Sequence, residues 1–377
     1  MTLRSATLAV VMACTAAGRV GAPAAPAQAG ADPRFDAVVA YLRSQVDSAF
    51  PGAVIAVGRR DSVLLLAAVG HYGSDDPRPV TPETVYDLAS LTKVIGLTTA
   101  CMMLVGEGKL DLDAPAQRYV PAFRGLGKDR VTIRHLLTHS SGLPAWRPLY
   151  TETTTRATAL ALADTTALLR QPGDTFVYSD LGAMVLTQAV EAITGQRLDG
   201  YLDARVFQPL RMTSTRFLPP PAWRDRIAPT ERSQDGTIIR GTVHDENAWR
   251  LGGVSGHAGL FSTAPDLARF AQWLSSAWRR DSGQVRAFTR RQGIPPGSSR
   301  ALGWDTPSEN SSAGTKMGPN AFGHTGFTGT SIWFDPDQGL FIILLTNRVN
   351  PTRENGRILR VRPRVADLVV DALTPPR

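Results

Sequence analysis

The sequence has little cysteine and no long apolar run. Cys14 and Cys101 are the two cysteines in 377 residues, so a disulfide framework is excluded. After residue 30 no stretch reaches the roughly 18 consecutive apolar residues that a membrane-spanning helix needs. With 43% hydrophobic and 20% charged residues, the composition is that of a globular protein. We therefore expect neither an integral membrane protein nor a small disulfide-stabilised scaffold.

Lysine is also scarce, being limited to Lys93, Lys109, Lys128 and Lys316. Basic residues number 41 against 33 acidic ones, which gives a net charge of +8 and a sequence pI near 9.9. The arginines are spread along the chain, and the densest stretch, 348–364, ends in an expected amphipathic helix. We expect a small-molecule or peptide substrate and no nucleic-acid partner. No pattern indicates an oligomeric state.

The first 29 residues have the layout of a secretory signal peptide. Arg4 precedes an apolar run over 6–17, and Ala27-Gln28-Ala29 forms an A-x-A cleavage site before Gly30. This pattern predicts export to the periplasm or the medium, with no integral anchor. The alternative is a lipoprotein: Val11-Met12-Ala13-Cys14 resembles a lipoprotein cleavage box, which would leave a lipid anchor on Cys14.

Strands are predicted near both ends of the chain and helices between them. Because early and late strands must pair to be buried, we expect an α+β fold with three α/β/α layers. Its antiparallel sheet would combine N- and C-terminal strands, with a mostly helical inserted region. The expected regions are 30–89, 90–290 and 291–377. The predicted elements are a helix over Phe35 to Phe50, strands over Ala53 to Val57, Val63 to Val69, Ala301 to Trp304, Gly329 to Phe334 and Leu340 to Leu345, and a helix over Arg360 to Leu373.

Ser90 and Lys93 stand at the start of an apolar run, 94–105. If Ser90 opens a helix, the i, i+3 spacing puts its hydroxyl and the Lys93 amine on one face. A neighbour must take the serine proton, and a lysine can do so only if its pKa falls from about 10.4. The helix N-terminus also favours negative charge near Ser90. The motif predicts a nucleophile and its base; the alternative is an N-cap serine with a solvent-facing lysine.

Two further segments carry candidate site residues. Tyr178 and Asp180 lie in a loop before a helical run, and His324-Thr325-Gly326 leads into a strand near the C-terminus. The small residues there would let a substrate lie against the strand edge, with backbone N–H groups available as oxyanion donors. Taken singly, Tyr178 could be a core or loop tyrosine and His324 a turn residue.

In this order the motifs resemble the serine β-lactamase and penicillin-binding protein superfamily. The resemblance is to its class C-like branch, which includes D,D-peptidases, D-aminopeptidases and esterases, with the pattern S-x-x-K, Y-x-N and K-T-G or H-T-G. It spans most of the chain after the signal segment. Further matching segments are 136–144, 252–263 and 345–348.

The resemblance implies an acyl-enzyme formed on Ser90, with Lys93 and Tyr178 as the proton-transfer pair. The backbone N–H groups of Ser90 and Phe327 would hold the oxyanion. The side chains and backbone expected to contact substrate are those of Asp180, His257, His324, Thr325, Gly326 and Asn347.

Two positions depart from the family pattern. Asp180 replaces the usual asparagine, so it cannot donate to a substrate amide when ionised, and its charge raises the pKa of Lys93. His324 replaces lysine and removes a fixed positive charge. Both changes fit a serine hydrolase of peptidoglycan-derived peptides or amides, or of carboxylic esters. The alternatives are a true class C-like β-lactamase and a non-catalytic cell-wall-binding protein.

Other histidines offer weaker signals. His135 and His139 have the i, i+4 spacing of a zinc site, but the glutamate of a metalloprotease motif is missing. We therefore expect neither metal nor cofactor. His244-Asp245-Glu246-Asn247 is a polar cluster, which together with Gly256-His257-Ala258-Gly259 resembles enzymes acting on cell-wall fragments.

Overall fold

Strands from both ends of the chain form the central sheet. The computed structural model describes residues 32–233, 235–280 and 283–374; the predicted signal peptide, 1–29, and Cys14 lie outside the described residues. The strands are β1 (Gly52–Arg59), β2 (Ser62–Gly73), β3 (Asp76–Pro79), β4 (Tyr86–Asp87), β5 (Arg216–Phe217), β6 (Leu260–Ser262), β7 (Phe322–Thr325), β8 (Ser331–Asp335) and β9 (Leu340–Thr346). Within the described residues, one antiparallel sheet has the order β3-β2-β1-β9-β8-β7 and a small one the order β4-β6-β5.

Helices surround this sheet and fill the middle of the chain. The α-helices are α1 (Asp36–Ser44), α2 (Thr99–Gly106), α3 (Ile133–Leu137), α4 (Leu149–Glu152), α5 (Arg156–Thr165), α6 (Asp180–Thr194), α7 (Leu198–Leu202), α8 (Glu246–Arg250), α9 (Ala264–Arg279), α10 (Gly283–Thr289) and α11 (Ile358–Leu373). π-Helical segments occupy Lys93–Thr98 and Asp203–Phe207, and 3-10 turns occupy Pro33–Phe35, Ala116–Arg118, Lys128–Arg130 and Pro221–Arg226.

The sheet is buried on both faces, which gives the three layers that the sequence predicts. Successive β1 side chains alternate: Ile55 and Val57 pack against α1 and α11, whereas Val54 packs into the opposite core, which includes Phe270 of α9. β1 and β9 pair from Ala53 with Thr346 to Arg59 with Leu340. The predicted pairing of early and late strands is therefore confirmed. The region boundaries at 89/90 and 290/291 stay a prediction.

The first helix is shorter than its apolar spacing indicates. It ends at Ser44, because Asp47 adopts a left-handed φ of 62° and its N–H donates to the Phe50 carbonyl at 2.9 Å. Phe50 is still buried. The apolar residues of this turn point into the core and have the sequence spacing of one more helical turn. The prediction of a helix to Phe50 is therefore wrong.

The segment Ala301 to Trp304 is a turn and not the predicted strand. The Ala301 N–H donates to the Trp304 carbonyl at 3.0 Å, and Gly303 has a left-handed φ of 78°. A Cβ on Gly303 would lie 1.9 Å from Thr98 Oγ1, so this turn packs tightly on the helix that follows Ser90. The other late strands are confirmed with shifted bounds: β8 begins at Ser331, and the His-Thr-Gly segment ends a strand of its own, β7.

None of the helices in 32–233, 235–280 and 283–374 combines the length and the apolar character that crossing a bilayer requires. Cys101 is a free, buried thiol in α2, and burial raises its pKa to about 12. It behaves as a small apolar side chain.

Candidate active site

Ser90 stands at the start of the helix that runs through Lys93–Thr98 into α2. The turn before it is bent by Ala89, whose φ of 46° is left-handed, and the Asp87 carboxylate accepts the Ala89 N–H at 2.8 Å. The Lys93 N–H donates to the Ser90 carbonyl at 3.0 Å, which closes the first helical turn. The structure thus places the Ser90 hydroxyl and the Lys93 amine on one face.

Lys93 is buried beneath Ser90, with 3% of its side chain exposed. Its Nζ donates to Ser90 Oγ at 3.0 Å and to the His257 carbonyl at 2.9 Å, and it forms an ion pair with Asp180 Oδ1 at 2.7 Å. Burial alone would lower the pKa of Lys93, but the Asp180 charge and the Tyr178 phenol outweigh it, so the pKa is raised above 10.5. Lys93 is therefore an ammonium at neutral pH, as the replacement of the family's asparagine by Asp180 predicts.

The Tyr178 ring lies close to two cations. Its ring centroid is 4.9 Å from Lys93 Nζ and 5.5 Å from the Arg300 guanidinium carbon. The His139 ring packs on the other part of the tyrosine, with centroids 4.5 Å apart, and His139 Nδ1 accepts the Ser179 N–H at 3.1 Å. Both cations would stabilise negative charge that develops on the phenol oxygen.

His139 thus supports the loop that carries Tyr178. Burial, and then the charges of Arg300 and Lys93, hold its pKa well below 6.5, so it stays a neutral acceptor. His135 Nδ1 accepts the Thr132 N–H at 3.2 Å, as part of the cap of α3. In the part of the chain that the structure describes, no group of three or more His, Cys, Asp and Glu side chains is arranged to hold a metal ion.

His324 is a neutral acceptor that faces the same site. Its Nδ1 contacts the Thr325 carbonyl at 2.8 Å, and since a carbonyl only accepts, Nδ1 carries the proton. Nε2 therefore presents a lone pair, and within the described residues it has no hydrogen-bond partner. Burial, and then the charges of Arg300 and Lys93, hold the pKa of His324 well below 6.5. His324 brings no positive charge at neutral pH.

The turn after β7 docks directly on the turn before Ser90. Thr328 Oγ1 donates to the Asp87 carbonyl at 2.7 Å, and Thr330 Oγ1 donates to the Leu88 carbonyl at 2.9 Å. A Cβ on Gly326 would lie 2.3 Å from the Leu88 oxygen, so only glycine permits this approach. Within the described residues, the backbone N–H groups of Ser90 and Phe327 donate to no other group. They are free to bind an oxyanion.

A cleft of about 470 Å³ opens above these groups. It is lined by Ser90, Tyr178, Arg300, Asp305, His324, Thr325, Gly326, Phe327, Arg348 and Arg362, among others. The predicted residues Ser90, Tyr178, His324, Thr325, Gly326 and Phe327 are thus brought together, and Lys93 and Asp180 lie directly behind them.

Arg300 is a cleft residue that the sequence analysis missed. Its side chain is 12% exposed, and Nε lies 3.8 Å from Asp305 Oδ1, which is too long for a hydrogen bond. Nε and Nη1 have no hydrogen-bond partner in the described residues. Arg300 follows a Gly/Ser/Pro-rich loop without any motif, so no sequence signal could have found it.

Two predicted substrate-contacting residues do not reach the cleft. Asn347 is 1% exposed; its Oδ1 accepts the Gly52 N–H at 3.1 Å and its Nδ2 donates to the Tyr72 carbonyl at 2.6 Å. His257 is also 1% exposed, and both of its ring nitrogens have partners away from the cleft. The polar atoms of both residues already form hydrogen bonds that hold the fold together, and substrate contact stays a prediction for both.

The sequence of this chain is similar to those of known proteins. The family model described as Beta-lactamase matches residues 34–366. A Salmonella schwarzengrund protein named "Putative D-alanyl-D-alanine carboxypeptidase" is 32% identical over 385 aligned positions, covering 89% of this chain and 88% of its own length.

Solved structures share the fold. EstCE1, described as a hydrolase with promiscuous acyltransferase activity, has a TM-score of 0.72 at 23% identity, covering 88% of this chain and 98% of its own. A penicillin-binding protein homologue from Caulobacter crescentus has a TM-score of 0.73 at 20% identity, covering 90% and 98%. The predicted fold class is confirmed. Because the family model spans most of the chain, this protein belongs to the β-lactamase family and is a serine hydrolase.

Proposed function

We propose that this chain is an exported peptidase that removes the C-terminal residue of peptidoglycan-derived peptides through an acyl-enzyme on Ser90. The observation that carries the proposal is the contact of Ser90 Oγ with Lys93 Nζ in a cleft that also presents the Arg300 guanidinium. The name of the Salmonella relative, a D-alanyl-D-alanine carboxypeptidase, supports this substrate class.

Acylation would begin with Tyr178. Because Lys93 is an ammonium, it donates to Ser90 Oγ and cannot take the serine proton, so we assign the role of base to the Tyr178 oxygen, which has no hydrogen-bond partner within the described residues. Oγ then bonds to the substrate carbonyl carbon, and the N–H groups of Ser90 and Phe327 donate hydrogen bonds to the oxyanion. The C–N bond breaks, Tyr178 returns the proton to the leaving amine, and an ester remains on Ser90.

Deacylation would use the same groups in reverse. Water attacks the ester carbonyl, Tyr178 accepts a proton from that water, and the same proton returns to Ser90 Oγ as the acid leaves. His324 Nε2 is an acceptor beside this position and can orient the water or the leaving amine.

Arg300 supports a substrate with a free carboxylate. Arg300 is largely buried and makes no hydrogen bond to its nearest carboxylate, Asp305, at 3.8 Å, so its guanidinium has donors left to bind an anion in the cleft. We expect Arg300→Met, which keeps the apolar stem, to lower kcat/KM for a peptide ending in D-alanyl-D-alanine about 10- to 100-fold. For a neutral ester the loss of kcat/KM should be clearly smaller, because only the effect of Arg300 on Tyr178 is then removed. An equal loss on both substrates would show that Arg300 acts through Tyr178 or the fold of the site and not on the carboxylate.

The pH dependence of activity tests the pair of Lys93 and Asp180. Asp180 raises the pKa of Lys93, so the ammonium and the activity should persist above pH 10 in the wild type. In Asp180→Asn the burial of Lys93 acts without that counter-charge and lowers its pKa, so the alkaline fall of kcat/KM should move to lower pH. The measurement is ester hydrolysis between pH 7 and 11. An alkaline limb at the same pH in both proteins contradicts the role given to Asp180.

Acylation by penicillin should also respond to this change. The side-chain amide that Asp180→Asn introduces could donate to the amide of a β-lactam, which the carboxylate of Asp180 cannot. Faster formation of a penicillin adduct in Asp180→Asn than in the wild type is therefore expected. This result would favour a peptidase over a true class C-like β-lactamase for the natural sequence.

The main experiment is intact-mass spectrometry after exposure to a fluorophosphonate and, separately, to a penicillin. It is combined with an assay of D-alanine release from a D-alanyl-D-alanine peptide. Adducts with both reagents together with D-alanine release support the proposal. A fluorophosphonate adduct with ester hydrolysis but no D-alanine release would favour an esterase. No adduct at all would favour the non-catalytic binding protein.

Export is part of the proposal and rests on residues 1–29. Expressed with its full leader in a bacterial host, the mature protein should begin at Gly30, as measured by N-terminal sequencing of the secreted fraction. A lipid-modified N-terminus at Cys14 would establish the lipoprotein alternative instead.

A further inference from the structure

The polar cluster that begins with His244 lies behind the proposed active site. Asp245 is the N-cap of α8, where its Oδ1 accepts the Ala248 N–H at 2.7 Å. His244 is 5% exposed, and the Asp245 side chain is 25% exposed. Neither residue lines the cleft, but a short chain of contacts connects each of them to a group that the proposed mechanism uses.

Asp245 is connected to Lys93 through His257. The same Oδ1 lies 2.9 Å from His257 Nε2, and His257 Nδ1 lies 2.7 Å from Ser255 Oγ. The imidazole is thus fixed at both nitrogens, and its own backbone carbonyl accepts a hydrogen bond from Lys93 Nζ at 2.9 Å. The position of that carbonyl depends on the anchored ring, because both belong to one residue.

His244 contacts the turn after β7 that carries the Phe327 N–H, here called the oxyanion turn. Its ring stacks on Phe327 with centroids 5.7 Å apart and an angle of 23°, while its Nε2 contacts Glu231 at 2.9 Å. Its backbone N–H donates to Asp87 Oδ2 at 2.7 Å, and the other oxygen of Asp87 holds Ala89, the residue before Ser90. One residue therefore touches both segments that supply the expected oxyanion donors.

Helix capping alone does not explain Asp245. Serine, threonine and asparagine cap a helix as well as aspartate does, and capping does not require a buried histidine on the same oxygen. The contact with His257 is an additional one, made by a carboxylate whose pKa would be raised by burial but is lowered by its interactions with His257 and the Ala248 N–H.

We propose that Asp245 and His244 are positioning residues for the reaction on Ser90. Asp245 acts through His257 to hold Lys93 against Ser90, and His244 acts through Phe327 to hold the oxyanion turn. This inference rests on the proposed function, since it assigns these residues a role in the acylation of Ser90.

The first test is the rate of Ser90 labelling by a fluorophosphonate. Asp245→Ser keeps the cap of α8 but is too short to reach His257, so the maximal labelling rate should fall about 10- to 100-fold. The reagent concentration at half-maximal rate should stay unchanged, and labelling should still reach completion. Asp245→Asn, whose Oδ1 can accept both hydrogen bonds, should restore most of the rate.

A second histidine–aspartate pair on the surface provides the control. His71 Nε2 lies 2.8 Å from Asp47 Oδ1, close to the 2.9 Å of His257 and Asp245, but this pair is more exposed and lies away from the cleft. Asp47→Ser should label at the wild-type rate. A purely structural effect of Asp245→Ser would instead lower the fraction of protein that labels and leave the rate of that fraction unchanged.

The second test separates the stacking of His244 on Phe327 from its contact with Glu231. His244→Ala removes both contacts and should slow labelling, whereas His244→Phe keeps a ring on Phe327 and should restore the rate. Wild-type labelling rates in Asp245→Ser and His244→Ala would overturn the inference and leave the proposed function standing. A wild-type protein that does not label would overturn the proposed function and the inference with it.

Discussion

Ser90→Ala should abolish the fluorophosphonate adduct and lower D-alanine release by at least about 10⁴-fold. The reason is chemical, because no other serine or threonine hydroxyl in the described residues contacts the amine of Lys93. The fold should persist, since Lys93 keeps its contacts with Asp180 and the His257 carbonyl. We expect the free energy of unfolding to change by under about 1 kcal/mol, as measured by urea denaturation.

Ser312 supplies the matched control for this variant. It also lines the cleft, but its Oγ accepts the Trp333 indole N–H at 3.0 Å and does not contact Lys93. Ser312→Ala should therefore form the adduct at the wild-type rate. An adduct of the same mass and rate in Ser90→Ala would place the nucleophile elsewhere and refute the proposed mechanism.

Lys93→Met should lose both activity and stability. Methionine fills the volume of the lysine stem but leaves the Asp180 carboxylate without its cation, and breaking such a pair costs about 3 kcal/mol. We place the cost at the lower end of the usual range because 19% of the Asp180 side chain reaches solvent. Acylation should fall by at least about 10³-fold, since the ammonium beside Tyr178 is lost.

A double variant separates these two losses. Lys93→Met combined with Asp180→Asn removes the unpaired charge, so most of the stability should return while the activity should not. The exposed pair of Lys109 and Glu107, at 2.8 Å, is the control: Lys109→Met should cost under about 1 kcal/mol and leave the activity unchanged. Recovery of activity in the double variant would show that Lys93 serves the fold and not the reaction.

Much of the fold could be predicted because its strands are periodic or wholly apolar. The hairpin of β1 and β2 and the return of β9 stand out by their β-branched residues, and their burial requires that they pair. The two-residue strands β4 and β5 have no period to detect. The predicted first helix is too long because the left-handed Asp47 turns the chain without changing the spacing of the apolar residues.

The sequence likewise predicts only part of the proposed site. Ser90, Lys93, Tyr178 and His324 belong to short motifs whose spacing has a geometric meaning, so the sequence could nominate them. Arg300 reaches the cleft from an irregular loop, and only the folded chain brings it there. Substrate contact at His257 and Asn347 stays a prediction, because both polar side chains form buried hydrogen bonds within the fold, a role that a motif does not distinguish from substrate binding.

The strand order has a consequence for the newly made chain. The turn that follows β7 binds the turn before Ser90 across 241 residues of sequence, and Arg362 in α11 donates to the Gly326 carbonyl of that turn at 2.6 Å. A ribosome must therefore synthesise the chain from Ser90 to beyond Phe327 before the oxyanion donors can meet. Pairings so distant in sequence form slowly. We therefore expect the nascent chain to stay catalytically silent until this stretch is complete, so the proposed hydrolase gains its activity late in folding.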